Sequence, residues 1–358
     1  MKNKKISLFW PAIYKDELLE ELGKVFSTRW IGQGPLVDKF EKEFGKKFNF
    51  KYPLAVNSGT SALELAYHLI GIGKGDEVLA PVFTCTATNI PLKRRGADLK
   101  FIDIDDNLLP SFNDIAKKIS KQTKAIVVVD LGGIKVDKRI FTLGKKHKIP
   151  VVVDAAQSVG IPEPNGDYVC YSFQAIKHFT TGDGGMLVVR NKEEYERAKK
   201  LRWFGIDREA KKQANWKWKV KHEMAMDIEE LGFKFHMNDV AAAMGLVGLR
   251  HSDKLLAYRK KLCEEYNRKL KGFQTIYGGA YWLFAIITEN RNNLMDKLAK
   301  HRMESDPVQI RNDVFKMFGG KRENLPNMDR LEEKYLYLPL HPKITFKDIE
   351  YIAKIIKE

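Results

Sequence analysis

Residues 168–189, YVCYSFQAIKHFTTGDGGMLVV, combine two short apolar runs with a lysine and a glycine-rich segment between them. The runs Tyr168–Phe173 and Met186–Val189 are rich in β-branched and aromatic residues, which predicts two strands. Lys177 follows the first run, and the glycines after it predict a turn whose backbone approaches another group closely. Taken alone, a lysine in a loop is more often a solvated cation than a functional residue.

Short β-branched runs alternate with helical stretches through the first two-thirds of the chain. Further strands are predicted at Leu54–Val56, Glu77–Ala80, Leu99–Ile104, Ala125–Asp130 and Val151–Asp154. Predicted helices between them include Ser61–Ile70, Ser111–Ile119 and Ile140–His147. This alternation predicts an α/β fold with a mainly parallel sheet flanked by helices. Ligands of such sheets bind at the carboxyl ends of the strands, so the residues that follow each strand are candidates for function.

The pattern changes after about residue 190, where long charged helices are predicted at Glu193–Trp203 and Asp239–Leu270. A shorter α+β section follows, with the apolar run Tyr281–Thr288 as its clearest strand and Phe346–Lys357 as a closing helix. We therefore predict a large domain over residues 1–250 and a smaller C-terminal α+β domain over residues 251–358.

The composition is that of a soluble globular protein. The 358 residues are 44% hydrophobic and 30% charged, and no apolar run is long enough to cross a membrane. No long hydrophobic segment follows the basic N-terminus, so no secretory signal is expected. Cys85, Cys170 and Cys263 are far apart and form no CxxC pair, so we expect neither disulfides nor a metal site. These features favour a cytoplasmic protein with no membrane partner.

The formal net charge of +16 raises the question of a nucleic-acid partner. Most lysines are dispersed among acids, but Lys211–Lys221 (KKQANWKWKVK) interleaves Trp216 and Trp218 with cations. Such a pattern can stack on bases, form a basic loop, or help to hold a phosphate-bearing small molecule. Because the other cations are dispersed, we expect no nucleic-acid partner.

The first predicted strand leads directly into a helix through Asn57–Thr60, in NSGTSALELA. A helix start with small hydroxyl residues and glycine offers free N–H groups and a favourable dipole to an anion. Ordinary capping of the helix by Ser58 or Thr60 would explain the same residues without a ligand. The GxxxxGK[ST] pattern of a nucleotide-binding loop is absent from the sequence.

The strand Val151–Asp154 ends in an acid, within VVVDAAQSVG. A buried carboxylate is costly unless a cationic or protonated group faces it. Asp154 could cap the following turn, or it could face a ring nitrogen that it keeps protonated. Gln157 follows three residues later, which places both side chains near one site if a helical turn follows the strand.

Together with Lys177, these groups are the ones needed to hold pyridoxal phosphate (PLP). A lysine in a tight turn can be desolvated, which lowers its pKa and makes the amine a usable nucleophile. The amine could form a Schiff base with PLP while Asp154 pairs with the ring nitrogen and the helix start at Gly59–Thr60 receives the phosphate. Phe83, which follows the strand Glu77–Ala80, could stack on the ring or could be a core residue.

These motifs resemble those of the DegT/DnrJ/StrS-type sugar aminotransferases, which have the type I fold of PLP-dependent aminotransferases. The resemblance covers nearly the whole chain, and the motifs occur in the family's order. They are TRWIGQGPLVDKFEKEFGKKF (28–48), NSGTSALELA (57–66), GKGDEVLAPVFTCTATNIPLKRRGADLKFIDID (73–105), VVVDAAQSVG (151–160), CYSFQAIKHFTTGDGGMLVV (170–189), ELGFKFHMNDVAAAMGL (230–246) and YLPLHPKIT (337–345). The resemblance implies a PLP enzyme of the same α/β fold.

The resemblance also implies roles for individual residues. Lys177 would carry PLP and move protons between the substrate carbon and the C4′ carbon of PLP. The other implied PLP-binding residues are Gly59, Thr60 and Ser172 at the phosphate, Phe83 on the ring, Asp154 at the ring nitrogen and Gln157 near the ring hydroxyl. The segment GFKFHM (232–237) would reach into a partner subunit, which implies a homodimer with shared active sites. Its Lys234 stands where family members often have asparagine, and would serve the phosphate as a point charge.

Further features bear on the reaction and the substrate. Dehydratase relatives carry histidine in place of the lysine, whereas this chain has Lys177, with His178 only as its neighbour. The stretch DLGGIKVD (130–137) departs from the His-Leu-Tyr-Gly-Gln type sequence of many relatives, so different local contacts are expected there. Arg311 and Asp313, in QIRNDVF, could contact the substrate or could form a surface ion pair.

We therefore expect the transfer of an amino group from L-glutamate to a keto-sugar linked to a nucleoside diphosphate. The product would be an amino-deoxy sugar for glycan or natural-product assembly. The basic charge balance suits such a substrate. A PLP-fold sugar dehydratase and a nucleic-acid-binding regulatory protein on the same fold are the alternatives.

Overall fold

The computed structural model describes residues 4–162, 165–224 and 227–358. The helices are α1 Lys15–Thr28, α2 Pro35–Phe48, α3 Gly59–Ile70, α4 Thr86–Arg94, α5 Phe112–Lys118, α6 Arg139–His147, α7 Lys192–Leu201, α8 Arg208–Gln213, α9 Asp239–Lys269, α10 Arg291–Lys300, α11 Pro326–Leu331 and α12 Phe346–Lys357. The strands are β1 Pro53–Val56, β2 Glu77–Pro81, β3 Asp98–Ile102, β4 Thr123–Val129, β5 Val151–Asp154, β6 Tyr168–Ser172, β7 Gly185–Val189, β8 Lys219–Val220, β9 Glu223–Met224, β10 Gln274–Ile276, β11 Phe284–Ile287 and β12 Tyr335–Leu338. Within these described ranges, no helix is long and apolar enough to cross a bilayer.

The large sheet has seven strands in the order β1-β7-β6-β5-β4-β2-β3. β7 runs antiparallel to both of its neighbours, and the other neighbouring strands are parallel. The strands β5, β6 and β7 are buried along their whole length, as expected for a sheet covered by helices on both faces. The predicted mainly parallel α/β sheet is confirmed, and each strand lies within two residues of its predicted ends.

The topology brings three chain segments to one edge of this sheet. β1, β5 and β6 point in the same direction, so their carboxyl ends lie at the same edge. α3 begins at Gly59, directly after β1, and residues 173–184 connect β6 to β7 at this edge. The segments that carry the predicted functional residues therefore meet where ligands of parallel sheets bind.

The first 50 residues form two helices that the alternating pattern did not predict. In α2, the ring of Phe40 packs edge-on against Phe173, with the ring centroids 5.3 Å apart. The start of α2 is held by the carboxylate of Asp239, which accepts hydrogen bonds from the N–H groups of Gly34 at 2.9 Å and Val37 at 3.1 Å. This cap is distant in sequence, although local signals are also present, because Gly34 is the N-cap residue and Pro35 the first residue of the helix.

A three-stranded antiparallel sheet, β10-β11-β12, forms a hydrophobic core of its own with α10, α12 and the last turns of α9. The start of the chain packs on this part, because Ile6 pairs with Met303 and the N–H of Leu8 donates to the Glu304 carboxylate at 3.0 Å. α9 is continuous over 31 residues and passes through residue 250. The division into domains 1–250 and 251–358 stays a prediction, to which the structure adds the contact of the N-terminal residues with the smaller sheet.

Candidate active site

Lys177 lies at the carboxyl edge of the large sheet, in the turn after β6. Its backbone N–H donates to the carbonyl of Gln174 at 2.9 Å, which closes the turn. The side-chain Nζ lies 4.3 Å from the centroid of the Trp282 ring. Burial lowers the pKa of the Lys177 amine, while the nearby Asp154 carboxylate and Cys85 thiol act in the opposite direction. A lysine whose pKa is lowered in this way is more often neutral and can act as a nucleophile or base.

Asp154 is the last residue of β5 and is 4% exposed. Its carboxylate accepts a hydrogen bond from the Thr88 hydroxyl at 2.6 Å and another from the N–H of Ala156 at 3.1 Å. Burial raises the pKa of Asp154, and the two hydrogen bonds and the charge of Lys177 oppose this rise. A buried carboxylate of this kind is stabilised by a protonated group placed against it, such as a pyridinium nitrogen.

The start of α3 and the end of β6 approach each other closely at Gly59 and Ser172. A Cβ added at Gly59 would lie 2.8 Å from the Cβ of Ser172 and 3.2 Å from its Oγ, so the contact requires glycine. Ser58 caps the helix by accepting a hydrogen bond from the N–H of Ser61 at 3.0 Å. The N–H groups of Gly59 and Thr60 occupy the first two helical positions, which have no partner within a helix. Free N–H groups beside a serine hydroxyl form a site that suits a phosphate.

These groups fit pyridoxal phosphate. The Lys177 amine matches the aldehyde of PLP, the Asp154 carboxylate matches the ring nitrogen, and the close approach of Gly59 to Ser172 matches the phosphate. Across the described ranges, no group of three or more His, Cys, Asp or Glu side chains is placed to hold a metal ion.

Comparison with known proteins extends this match over the whole molecule. The chain matches the model of the DegT/DnrJ/EryC1/StrS aminotransferase family over residues 12–357. The chain belongs to this family. The resemblance found in its motifs is thereby confirmed.

Individual relatives agree with this assignment. GDP-perosamine synthase of Escherichia coli O157:H7 is 28% identical over 373 residues, which cover 99% of this chain and 98% of that protein. The crystal structure of AtS13 from Actinomadura melliaura has a TM-score of 0.91 and 29% identity, and covers 99% of both chains. The PLP form of Spr1654 from Streptococcus pneumoniae has a TM-score of 0.88 and 25% identity, and covers 99% of this chain and 98% of that one. The protein is therefore a PLP-dependent sugar aminotransferase with the type I fold.

Gln157 of the aminotransferase is buried, and its side-chain carbonyl accepts a hydrogen bond from the N–H of Gly132 at 2.6 Å. Gly132 and Gly133 have φ values of 67° and 87°, which favour glycine. A Cβ at Gly133 would lie 2.8 Å from the backbone oxygen of Gln157. Gly132 and Gly133, in the stretch 130–137 whose sequence differs from that of many relatives, thus allow a left-handed turn to pack on Gln157. Its amide NH₂ is the group left for a ring hydroxyl, and that role stays a prediction.

The structure does not support the predicted stacking of Phe83 on the PLP ring. A stacking residue must present an open face to the ligand, whereas Phe83 is 1% exposed and packs edge-on against Tyr335 with the centroids 4.8 Å apart. In the structure Phe83 is a core residue, which was the alternative interpretation. The exposed side chain of this segment is Cys85, which directly precedes α4 and lies close enough to Lys177 to affect its pKa.

Arg311 and Asp313 are buried, so they are not available to a substrate in the way predicted. The Nε and Nη2 groups of Arg311 donate to the Asp313 carboxylate at 2.7 and 2.6 Å, and the two residues are 2% and 1% exposed. The guanidinium also donates to Asp329 and to the backbone carbonyl of Glu323. Because all of these partners belong to the protein, the ion pair of Arg311 and Asp313 is structural. The pair is buried, whereas the alternative interpretation placed it on the surface.

Sequence reasoning missed three residues of the site, Cys85, Thr88 and Trp282. Thr88 lies in the first turn of α4, and its hydroxyl hydrogen-bonds that of Thr84 at 2.7 Å. Because Thr84 precedes the helix, a helical spacing does not account for this contact, and no local pattern predicts it. Trp282 comes from the part of the chain that carries the smaller sheet, so no local pattern could place it against Lys177.

The two tryptophans of the basic stretch Lys211–Lys221 contact cationic side chains of the same chain. The Nζ of Lys211 lies 3.2 Å from the centroid of the Trp218 ring, and the guanidinium carbon of Arg208 lies 5.6 Å from that of Trp216. These cation–π contacts occupy one face of each ring. The alternation of tryptophans and cations, which could also have indicated stacking on nucleic-acid bases, is therefore explained by contacts inside the protein.

Proposed function

We propose that this aminotransferase moves an amino group from L-glutamate to a keto-deoxy sugar linked to a nucleoside diphosphate, giving an amino-deoxy sugar. The observation that carries the proposal is the position of Lys177, whose half-buried side chain shares one sheet edge with Asp154 and with the close contact of Gly59 and Ser172. Such an arrangement provides the base, the ring partner and the phosphate site of PLP-dependent amino transfer.

When bound, PLP supplies an electron sink for the bond that is broken at the amino-acid carbon. Asp154 would hold a proton on the ring nitrogen through its buried carboxylate. The N–H groups of Gly59 and Thr60 and the hydroxyl of Ser172 would hold the phosphate. The Nζ of Lys177 would take a proton from one carbon and deliver it to another in each half of the reaction. Its lowered pKa supports this role, because only the neutral amine can accept the proton.

The charge of the chain and the names of its relatives support a nucleotide-linked substrate. GDP-perosamine synthase, at 28% identity, is named for a GDP-linked sugar. The formal net charge of this chain is +16. Burial, together with the cations Arg208, Arg202 and Lys234, lowers the pKa of His236 to about 4. Of these cations, Arg202 is buried in an ion pair with Glu41, whereas Lys234 is exposed and would attract the anionic diphosphate.

We also propose a homodimer with shared active sites, in the cytoplasm. The backbone carbonyl of Lys234 accepts a hydrogen bond from the Asn57 amide at 3.2 Å, so its segment lies beside the start of α3, while Lys234 itself is exposed. Large exposed apolar side chains in segments 10–31 and 204–231 support burial against a second copy. They are Trp10, Ile13, Leu19, Phe26, Trp30, Ile31, Phe204, Trp216, Trp218, Met224, Ile228 and Leu231. The three free cysteines support a reducing compartment.

The dehydratase alternative has less support from the residues around Lys177. His178 is buried, and its Nε2 hydrogen-bonds the backbone carbonyl of Ala280 at 2.8 Å. Burial, with the nearby cations Arg259 and Lys177, lowers the pKa of His178 to about 3. A histidine fixed in this way is a neutral structural residue and is not placed to replace the lysine.

The glutamate half of the reaction can be measured before the sugar is known. Protein loaded with PLP is mixed with L-glutamate, and the released 2-oxoglutarate is compared with the concentration of active sites by mass spectrometry. We expect a stoichiometric release that stops, and continued turnover only when a nucleotide-linked keto-sugar is added. Lys177→Ala should release none, whereas Lys271→Ala, which changes an exposed lysine, should match the wild type. Absence of release from the wild type, or turnover with a free keto-sugar alone, would overturn the proposal.

Mixing two inactive variants tests the shared sites. In a heterodimer of Lys177→Ala and Lys234→Glu subunits, one site would carry both changes and the other would carry neither. Activity should therefore return when the two variants are refolded or exchanged together. If each site used Lys234 of its own chain, each site of the heterodimer would carry one change and the mixture would stay inactive.

A further inference from the structure

The indole of Trp282 lies against the amine of Lys177. The Nζ of Lys177 lies 4.3 Å from the centroid of the ring, within the range of a cation–π contact. Trp282 is 1% exposed, and its indole N–H points to the backbone carbonyl of Ile176 at 3.4 Å. The ring is thus tied to the residue before Lys177 and covers the Lys177 side chain at the same time.

A glycine turn at the sheet edge holds the backbone of Trp282 in place. The N–H of Trp282 donates to the carbonyl of Gly132 at 3.0 Å, and the N–H of Ala280 donates to the carbonyl of Gly133 at 2.9 Å. A Cβ at Gly279 would lie 2.1 Å from the oxygen of Gly133, so the two segments approach as closely as backbone can. Because Gly132 also donates to Gln157, the position of Trp282 is connected to the edge that carries Asp154.

A buried arginine on α9 also holds the backbone at Trp282. Arg259, on α9, is 2% exposed, and its Nη1 donates to the carbonyls of Tyr281 and Trp282, each at 3.2 Å, and of Leu340 at 3.0 Å. The ring of His178 contacts the carbonyl of Ala280. A tryptophan that served only as core filling would not need its backbone fixed by a glycine turn and a buried cation at once.

We propose that Trp282 is a positioning residue, whose indole holds the amine of Lys177 at the sheet edge by a cation–π contact whenever that amine is not covalently engaged. The proposal rests on the proposed role of Lys177, which must return to the same place in each half of the reaction. The contact stabilises the charged amine and so partly offsets the effect of burial. An aromatic ring at position 282 is therefore needed, and an aliphatic side chain of similar bulk is not equivalent.

Trp282→Phe and Trp282→Leu form a matched pair that tests the ring itself. Both variants lose the indole N–H and some volume, but only the phenylalanine keeps an aromatic face. The apoproteins are labelled with trace acetic anhydride across a range of pH, and acetylation of Lys177 is measured by mass spectrometry against the exposed Lys271. Below the pKa of the amine, we expect Lys177 in the Leu variant to react about two- to fivefold faster than in the Phe variant, the usual size of a cation–π contact.

Equal rates in the two variants, or faster labelling in the Phe variant, would overturn the proposal. A purely structural role would lower the melting temperature of both variants without changing the ratio of their labelling rates. If Trp282→Leu shows no cooperative unfolding transition, Trp282→Met replaces it in the same comparison. The labelling uses the apoprotein without substrate, so a wrong assignment of the sugar or of the amino donor leaves its result unchanged.

Discussion

Gly59→Ala is the change with the most direct structural consequence for PLP binding. The new Cβ would lie 2.8 Å from the Cβ of Ser172, whereas carbon atoms in contact prefer about 3.5–4.0 Å. The start of α3 and the end of β6 must therefore separate by about 1 Å. Such a shift moves the N–H groups of Gly59 and Thr60 away from the phosphate. Loss of one hydrogen bond to a charged group costs about 1.5–3 kcal/mol, which corresponds to PLP binding about 10- to 150-fold weaker.

The affinity for PLP can be measured by titrating the apoprotein and following the quenching of tryptophan fluorescence. Gly23→Ala, in α1, is the matched control, because a Cβ there would meet nothing within 4 Å. The control should bind PLP as the wild type does. A Gly59→Ala protein that is folded and binds PLP with unchanged affinity would refute the assignment of the phosphate to this helix start.

Three further experiments test the positions of Cys85 and Arg311 and the ion pair of Glu230. Alkylation of the native apoprotein should modify the exposed Cys85 ahead of the two buried cysteines, and PLP should protect it; labelling that PLP leaves unchanged would place Cys85 outside the site. Arg311→Met should lower the free energy of unfolding by about 3–5 kcal/mol, because Asp313 stays buried without its cation; denaturant unfolding that shows less than about 1 kcal/mol would contradict this. Hydrogen bonds from Arg197 lower the pKa of Glu230 from 4.5 to about 2, so the charged carboxylate stabilises the fold above about pH 4.5 and less as the pH falls. The carboxylate is 36% exposed, so after screening we expect Glu230→Gln to cost about 1 kcal/mol at pH 7 and less at pH 3; a cost that does not depend on pH would contradict the pair.

The sheet and the central residues of the site could be predicted because they depend on local patterns. Lys177 and Gly59 follow short apolar strands and Asp154 ends one, and parallel strands bring such residues to one edge. The chemistry of the three residue types then pointed to one cofactor. None of these steps required knowledge of a contact between distant parts of the chain.

The burial of Phe83 and Arg311, which their predicted roles did not anticipate, has a different origin. Along the segment after β2, Phe83 and Cys85 are two residues apart, and only contacts with distant residues decide which one faces the site. Phe83 pairs through its backbone with Arg311 and packs on Tyr335, which turns its ring into the core. The role of Arg311 likewise depends on acids that fold around it, and a motif of seven residues does not contain them.

Tertiary packing also explains the elements that were missed. The start of α2 has Gly34 and Pro35 as local signals, but the carboxylate that caps it belongs to Asp239, more than 200 residues away. Trp282 reaches Lys177 because Gly132 and Arg259 hold its backbone from two separate elements. Contacts of this kind leave no periodicity in the sequence.

The attachment point of PLP tests the account most directly. The purified protein is incubated with PLP, reduced with borohydride and digested, and the peptide that carries the pyridoxyl group is identified by mass spectrometry. The account predicts that Lys177 carries the label and that Lys177→Ala abolishes it while the protein stays folded. A label on another lysine, or labelling of the Lys177→Ala protein at the wild-type level, would contradict it.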